Sequence, residues 1–291
     1  MMGLKPLSIF VAFLIIGGAF WWPVKAGDNV IILVSDNAAD YAAARAVSSA
    51  TGAEIITSLW GRFDDSVVQK VLSLAPGEVI IIGGPVAVPE DYAENLNAKG
   101  IKVTRIAGED RAETSETVLN WIIDGGYRVK GDLYLLDGWD EGSILYVLQS
   151  DENAIIFALP HHDLVNAIHE KSGLTNKMAS ATGYGRSVYV YPTLVDASNG
   201  SLPCSNCSVM EADELKALSL SVSRLKALSR GIGDDATRAL VIGKVESAES
   251  LASKGELEKA RKILIEGFGI AYSAMATKKP GPADTSSGSS G

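Results

Sequence analysis

Ile80 to Ser115 reads IIIGGPVAVPEDYAENLNAKGIKVTRIAGEDRAETS, and its punctuation decides the fold. The apolar run Val79–Ile82 stops at Gly83-Gly84, an amphipathic segment follows from about Pro89 to Ala98, and a second strand-like run ends at Arg105. A polar knot comes next, Arg105-x-x-Gly108-x-Asp110-Arg111-x-x-Thr114, and then a segment of helical pattern from Ala112 to Asp124. Strand, glycine turn, helix, strand, charged turn, helix is the order of a parallel α/β sheet, whose strand ends carry polar loops.

The same rhythm extends outward. Asn29–Val34 (NVIILV) is a continuous apolar run, as in a strand buried on both faces. Ser35-Asp36-Asn37 caps an alanine-rich helix to about Ser49, Glu54–Thr57 reads as a short strand, and Asp64-Asp65 opens an amphipathic helix closed by Pro76-Gly77. On the C-terminal side, Asp132–Leu136 and Ala154–Ala158 read as strands around a short helix near 141–149. Helical crossovers join parallel neighbours, so the expected fold is α/β, a doubly wound and mostly parallel sheet. Beyond Pro160 the pattern predicts a helix near 161–171, an edge strand at Ser187–Tyr191 because Pro192 follows it, and a loop over 193–210. Leu215, Leu218, Val222, Leu225 and Leu228 then recur at helical spacing, and Leu257, Ala260, Leu264, Phe268 and Ala271 do the same after the break at Gly231–Asp235. This is a C-terminal α-helical hairpin or small bundle that packs on the sheet or pairs with a second copy.

Of 291 residues, 47% are apolar, enough for a sizeable core. Residues 1–26 stand apart: Lys5 precedes an uncharged apolar stretch, Leu7–Trp22, and Val24-Lys25-Ala26 is a small-residue end. They read as an export signal, cleaved or retained as an anchor, and no later segment is apolar enough to span a membrane. The formal charge of −9 becomes −11 without Lys5 and Lys25, which excludes nucleic acid as a general partner. The expected organisation is a signal at 1–26, an α/β domain at 28–195, a cysteine-containing loop at 196–210, a helical domain at 211–276 and a flexible tail at 277–291.

Gly83-Gly84 could hold an anion on backbone N–H groups or permit tight strand-to-helix packing. No Gly-x-Gly-x-x-Gly or P-loop lysine accompanies it, so no nucleotide cofactor is expected. Arg105, Asp110 and Arg111 could bind sugar carboxylates or phosphates, or clamp two loops together, with Thr114 as a supporting hydroxyl. His161, His162, Asp163 and His169 read as a surface helix rather than a metal site, because no second cluster joins them. Cys204 and Cys207 are the only cysteines and read as a disulfide, and Asn199 and Asn206 begin two glycosylation triplets around them. No Gly-x-Ser-x-Gly is present to suggest a nucleophile elbow.

In this context Gly83-Gly84-x-x-x-Val88 followed by Arg105-x-x-Gly108-x-Asp110-Arg111-x-x-Thr114 resembles the cell wall-binding repeat of type two, found in exported surface proteins of Gram-positive bacteria and archaea. The resemblance extends to Val34-Ser35, Asp40–Ala44 and Ala53–Thr57, and covers about residues 29–160. One full repeat spans 29–107, and a degenerate second begins at 108 and lacks its own Gly-Gly strand end. Ala112 stands where the family usually has tyrosine. The resemblance implies a Rossmann-like unit that attaches an exported protein to an envelope polymer without catalysis.

The expected function is therefore a non-enzymatic, extracellular, envelope-associated protein that binds a surface polysaccharide or other envelope polymer, with possible self-association. Its ligand-binding candidates are Gly83, Gly84, Arg105, Asp110, Arg111 and Thr114, and it needs no cofactor and no metal. The alternative is a structural protomer or accessory of a surface layer or filament that assembles through its helices and sheet edge. A hydrolase reading would require a deep pocket joining Asp36, Asp40 and Asp137. Aromatic residues such as Trp60 and Trp139 at the strand ends would instead favour sugar stacking.

Overall fold

A computed structural model describes residues 29–161 and 187–276, except 198, 199, 201, 203, 205 and 206, together with residues 166, 170 and 172–181. The export segment, the tail, His162, Asp163, His169, Asn199 and Asn206 lie outside the described residues, as does most of the helix expected at 161–171.

The chain alternates strands and helices. Its first unit contains β1 (Val30–Ser35), α1 (Ala38–Thr51), β2 (Glu54–Ser58), α2 (Asp65–Ser73), β3 (Glu78–Ile82), α3 (Glu90–Ala98) and β4 (Lys102–Ile106). After α4 (Arg111–Asp124), a second unit contains β5 (Leu133–Asp137), α5 (Glu141–Ser150), β6 (Ile155–Leu159), α6 (Ser172–Ala181), β7 (Val188–Val190), α7 (Pro192–Ala197) and β8 (Cys207–Val209). Three helices follow, α8 (Glu214–Ser229), α9 (Asp235–Ser253) and α10 (Leu257–Ala276). None of the described helices is long and apolar enough to cross a membrane.

Among the described residues every strand pairing is parallel, as the helical crossovers require. The strands divide between two four-stranded sheets, β2-β1-β3-β4 and β6-β5-β7-β8. The order is the same in both: the first strand of each unit is central, the second lies on one side, and the third and fourth lie on the other. The second unit thus extends past residue 160 to Val209. Its third strand ends at Val190 and passes through Tyr191 into Pro192, without a Gly-Gly pair.

Two local expectations are corrected. The strand around Ser187–Tyr191 is interior, between β5 and β8, because Pro192 begins α7 and removes no ladder donor. The stretch 193–210 is not all loop, because it contributes α7 and the short edge strand β8. Cys204 and Cys207 stand at disulfide distance where the chain enters β8, with Cα atoms 5.2 Å apart.

The core explains the doubled architecture. α1 packs on β1 and on β6, while α4 packs on α1 and β6, so both helices lie between the sheets. Val30, Ile32, Val34, Ala43, Val47, Val118, Leu119 and Ile122 join Leu133, Leu135, Ile155 and Phe157 in one apolar cluster. The many alanines of α1 follow from this position, since a helix flanked on several sides needs small side chains. α2 and α3 cover the other face of the first sheet with Val68, Val71, Tyr92 and Leu96. α5 covers the other face of the second with Ile144 and Val147. The last three helices enclose their own core of Leu225, Val241, Val245, Leu264 and Phe268, against which Trp60 of the first unit packs.

The helical unit docks through a close crossing of α5 and α8. A Cβ at Gly142 would lie 2.1 Å from Ser221 Oγ and 2.2 Å from the Ala217 carbonyl oxygen. Gly142→Ala is expected to destabilise the fold by about 1–3 kcal/mol by forcing these helices apart. Gly243→Ala, with no atom within 4 Å of its added Cβ inside α9, is expected to stabilise it by about 0.5–1 kcal/mol. Urea denaturation of both variants checks the pair.

Candidate functional site at the strand ends

In parallel α/β sheets, ligand sites form at the carboxyl ends of strands, where loops and helix N-termini converge. Here those ends carry a cluster of charges. β1 runs into Ser35-Asp36-Asn37, and Asn37 caps α1 by accepting from the backbone N–H groups of Ala39 and Asp40. β5 runs into Asp137-Gly138-Trp139-Asp140, and Asp140 caps α5 by accepting from Ser143 N. The acidic residues of both first turns, Asp40 and Glu141, are buried.

Glu141 is fully buried, with a relative exposure of 0%. Its Oε1 accepts from Asn37 Nδ2 at 3.0 Å and from the Tyr272 hydroxyl at 2.5 Å. Arg111 Nη1 lies 3.6 Å from Oε1, and Arg224 Nε lies 3.5 Å from Oε2. Arg224 also reaches Asp36, donating to its carbonyl at 2.5 Å and pairing with Oδ2 at 3.0 Å, while Asp36 Oδ1 accepts from Trp60 N at 2.8 Å. The Arg111 guanidinium lies 5.4 Å from the Trp139 ring centroid and 5.1 Å from that of Tyr272, so charge pairing and cation–π contact act together. Trp60 packs on Tyr272 with ring centroids 4.9 Å apart. The two tryptophans are thus both engaged within the chain.

Beside this network, Asp40 Oδ2 accepts from the Ser35 hydroxyl at 2.9 Å. Burial pushes its carboxyl up to about 6 from 3.8, against the lowering effects of the Arg111 charge and the Ser35 hydroxyl. Burial likewise raises Glu141, opposed by Arg111, Arg224 and Tyr272. A further buried pair, Asp140 Oδ2 with Arg261 Nε at 3.1 Å, ties α5 to α10, and Arg261 also meets Glu214.

The candidate residues named from sequence occupy different places around this cluster. Gly83 has φ +105°, and a Cβ there would lie 3.2 Å from Asp40 Oδ2, so glycine answers both backbone conformation and close approach. Its N–H donates to the Ile106 carbonyl, and the Gly84 carbonyl accepts from the N–H groups of Ala87 and Val88. Arg105 donates to the carbonyls of Gly83 at 2.8 Å and Val88 at 3.1 Å, and pairs with Glu90 at 2.9 Å. Asp110 caps α4 by accepting from Ala112 N and Glu113 N. Thr114 is buried and accepts from Gly108 N at 3.0 Å. The structure therefore sets Arg105 on the β3–α3 loop and Arg111 against the second unit.

Asp36 and Asp40 belong to the buried network. Asp137 instead lines a separate cavity of about 510 Å³ with His161, Thr193, Arg261 and Lys262. There His161 Nδ1 and Asp137 Oδ2 are 2.6 Å apart, a hydrogen bond that raises the imidazole pKa. Among the described residues, no group of three or more His, Cys, Asp or Glu side chains is placed to hold a metal ion.

Glu141, Asp140, Arg224, Arg261 and Tyr272 were not singled out from sequence. The one local signal is Asp140 ahead of a helix and after a strand, the N-cap counterpart of Asn37 in the first unit. The partners on α8 and α10 carry no comparable mark.

No family model matches the chain. An uncharacterized protein of Methanocaldococcus jannaschii is 47% identical over 88 residues, covering 30% of this chain and 26% of that protein. An uncharacterized protein of Pyrococcus horikoshii is 31% identical over 143 residues, covering 47% and 42%, and one of Pyrococcus abyssi is 31% identical over 122 residues, covering 41% and 36%. The chain thus spans between 26% and 42% of the length of these curated relatives. Among solved structures, Cwp6 from Clostridium difficile is similar with a TM-score of 0.47 and 22% identity, over 67% of this chain and 32% of that one. Cwp8 from the same organism has a TM-score of 0.43 and 20% identity, over 67% and 33%.

Two outcomes are expected of this cluster. Arg111→Ala leaves Glu141 with Arg224 as its remaining counter-charge in a dry site and should cost about 1–3 kcal/mol in urea denaturation. Between about pH 4 and about pH 6, folded Asp40 keeps a proton that the unfolded chain has released, so its contribution to stability falls as pH rises through this window. Asp40→Asn should flatten that slope and raise stability above pH 6 by up to about 3 kcal/mol, read from denaturation curves across the window.

Proposed function

We propose that this chain is an exported, envelope-associated binding protein that holds a surface glycan or anionic polymer without catalysis. The observation that carries the reading is the doubled four-stranded unit whose first copy carries the arginine-braced Gly-Gly turn after its third strand. That arrangement agrees with the repeat its sequence resembles, and the signal-like residues 1–26 support export.

The strand-end charges support binding over catalysis. Asp36, Asp140 and Glu141 are paired with Arg224, Arg261 and Arg111, and such mutual neutralisation suits a fixed scaffold better than an acid or base that must exchange protons with substrate. Gly83, Gly84, Arg105, Asp110, Arg111 and Thr114 remain the residues that shape this end of the molecule. Their internal partners favour a role in holding the loops over direct contact with polymer.

A second reading, a protomer or accessory of a surface layer or filament, is favoured by Leu215 and Leu240, which are 60% and 53% exposed on the helical unit. A concentration-dependent oligomer in analytical ultracentrifugation would support it, and a strict monomer would count against it.

The leading reading is tested by sedimenting the purified protein with isolated cell envelopes of the source organism. The wild type should pellet with them, and Arg105→Ala should pellet equally while unfolding at a lower temperature. A wild type that stays in the supernatant overturns the proposal.

A further inference from the structure

The α5 face of the second sheet carries a cavity of about 330 Å³, away from the strand-end cluster, lined by Tyr134, Tyr146, Tyr189, Met210, Asp151 and Glu211 among others. Its size falls at the lower end of small-ligand sites, ~300–1,000 Å³. Tyr134 and Tyr189 are neighbours in the β5–β7 register, with ring centroids 5.1 Å apart and planes inclined by 23°. The same register continues from Tyr189 to Ser208 on β8, which is exposed and too small to cover a tyrosine ring. Among the described residues the stack of rings therefore stops at Tyr189, which lines the cavity together with Val209 and Met210 at the end of β8.

The charges around the cavity choose the kind of ligand. Asp151 and Glu211 on its wall oppose an anion. Lys216 Nζ already lies 5.5 Å from the Tyr146 ring centroid, where a ligand cation would otherwise settle, and its charge opposes a second one. What remains favourable is a neutral ligand with an apolar face and a hydroxyl rim. A pyranose has this form: its C–H face fits a tyrosine ring, and its hydroxyls fit carboxylate acceptors. Asp151 is held for such a role, with Oδ2 accepting from the Tyr134 hydroxyl at 3.1 Å and Oδ1 from Asn153 N at 2.8 Å. Burial, with Asp151 adding to it, pushes the Tyr134 phenol pKa up, so the hydroxyl stays a donor.

We infer that this tyrosine-lined cleft is a binding subsite for an uncharged sugar residue, stacked on Tyr189 over Ser208 and hydrogen-bonded by Asp151 and Glu211. The inference rests on the glycan form of the proposed function and adds its ligand class and location.

The test uses the purified full-length chain and saturation-transfer NMR with three probes: a neutral hexose oligomer, a neutral N-acetylhexosamine oligomer and a uronic acid polymer. At least one neutral oligomer should receive saturation at its ring C–H protons, and the uronic acid polymer should neither receive it nor compete. Tyr189→Ala should weaken the neutral oligomer about tenfold or more. Ser208→Trp, a change at an exposed position that fills the slot without disturbing the core, should abolish binding at an unchanged melting temperature. Transfer to neither neutral oligomer, equal binding by Ser208→Trp, or preference for the uronic acid polymer would each overturn the inference. In those cases wild-type protein that still pellets with envelopes would leave the broader envelope-binding reading standing, so the two failures are distinguishable.

Discussion

The carboxylate of Glu141 is where the parts of this protein meet. It is reached by Asn37 from the first sheet, Arg111 from the helix that links the units, and Arg224 and Tyr272 from the helical unit. A buried ion is costly to desolvate, and here the cost is offset only when all these elements are present together. Relative placement of sheets and helices is thereby tied to electrostatics, because a displaced helix would leave a charge unpaired in a dry interior. Apolar packing supplies the driving force for docking, while the ionic cluster fixes its geometry.

The glycine and arginine motif belongs to the same logic at smaller scale. Gly83 lets the β3 turn pass close over Asp40, and Arg105 then ties together two carbonyls that the turn leaves facing its side chain. Asp110 and Thr114 do equivalent work for the start of α4, which aims Arg111 at the second unit. Residue types often associated with anion binding here satisfy backbone groups of their own loops.

Much of this was legible in the sequence because the signals are local. Apolar runs mark β1, β3, β5 and β6, and Asn37, Asp64 and Asp110 mark helix starts by the chemistry of capping. The division into two sheets was not legible, since it depends on which faces α1 and α4 cover. The strands β7 and β8, three residues each, are too short for periodicity to register. The ionic cluster was hidden for a different reason. Tyr272 and Glu141 lie 131 residues apart and Arg224 and Asp36 lie 188 apart, and no local pattern connects such partners. The motif residues could be found by spacing, but their choice between loop clamp and ligand contact turns on carbonyl positions that appear only in three dimensions.

The place of α1 and α4 between the two sheets has a consequence for how such a chain can be divided. Each half contributes one wall of a shared interior, so a cut between β4 and β5 would strip both halves of apolar surface that neither could cover by itself. The two sheets are therefore not a string of interchangeable beads. Truncation or transplantation has to carry both units together for that shared interior to stay covered.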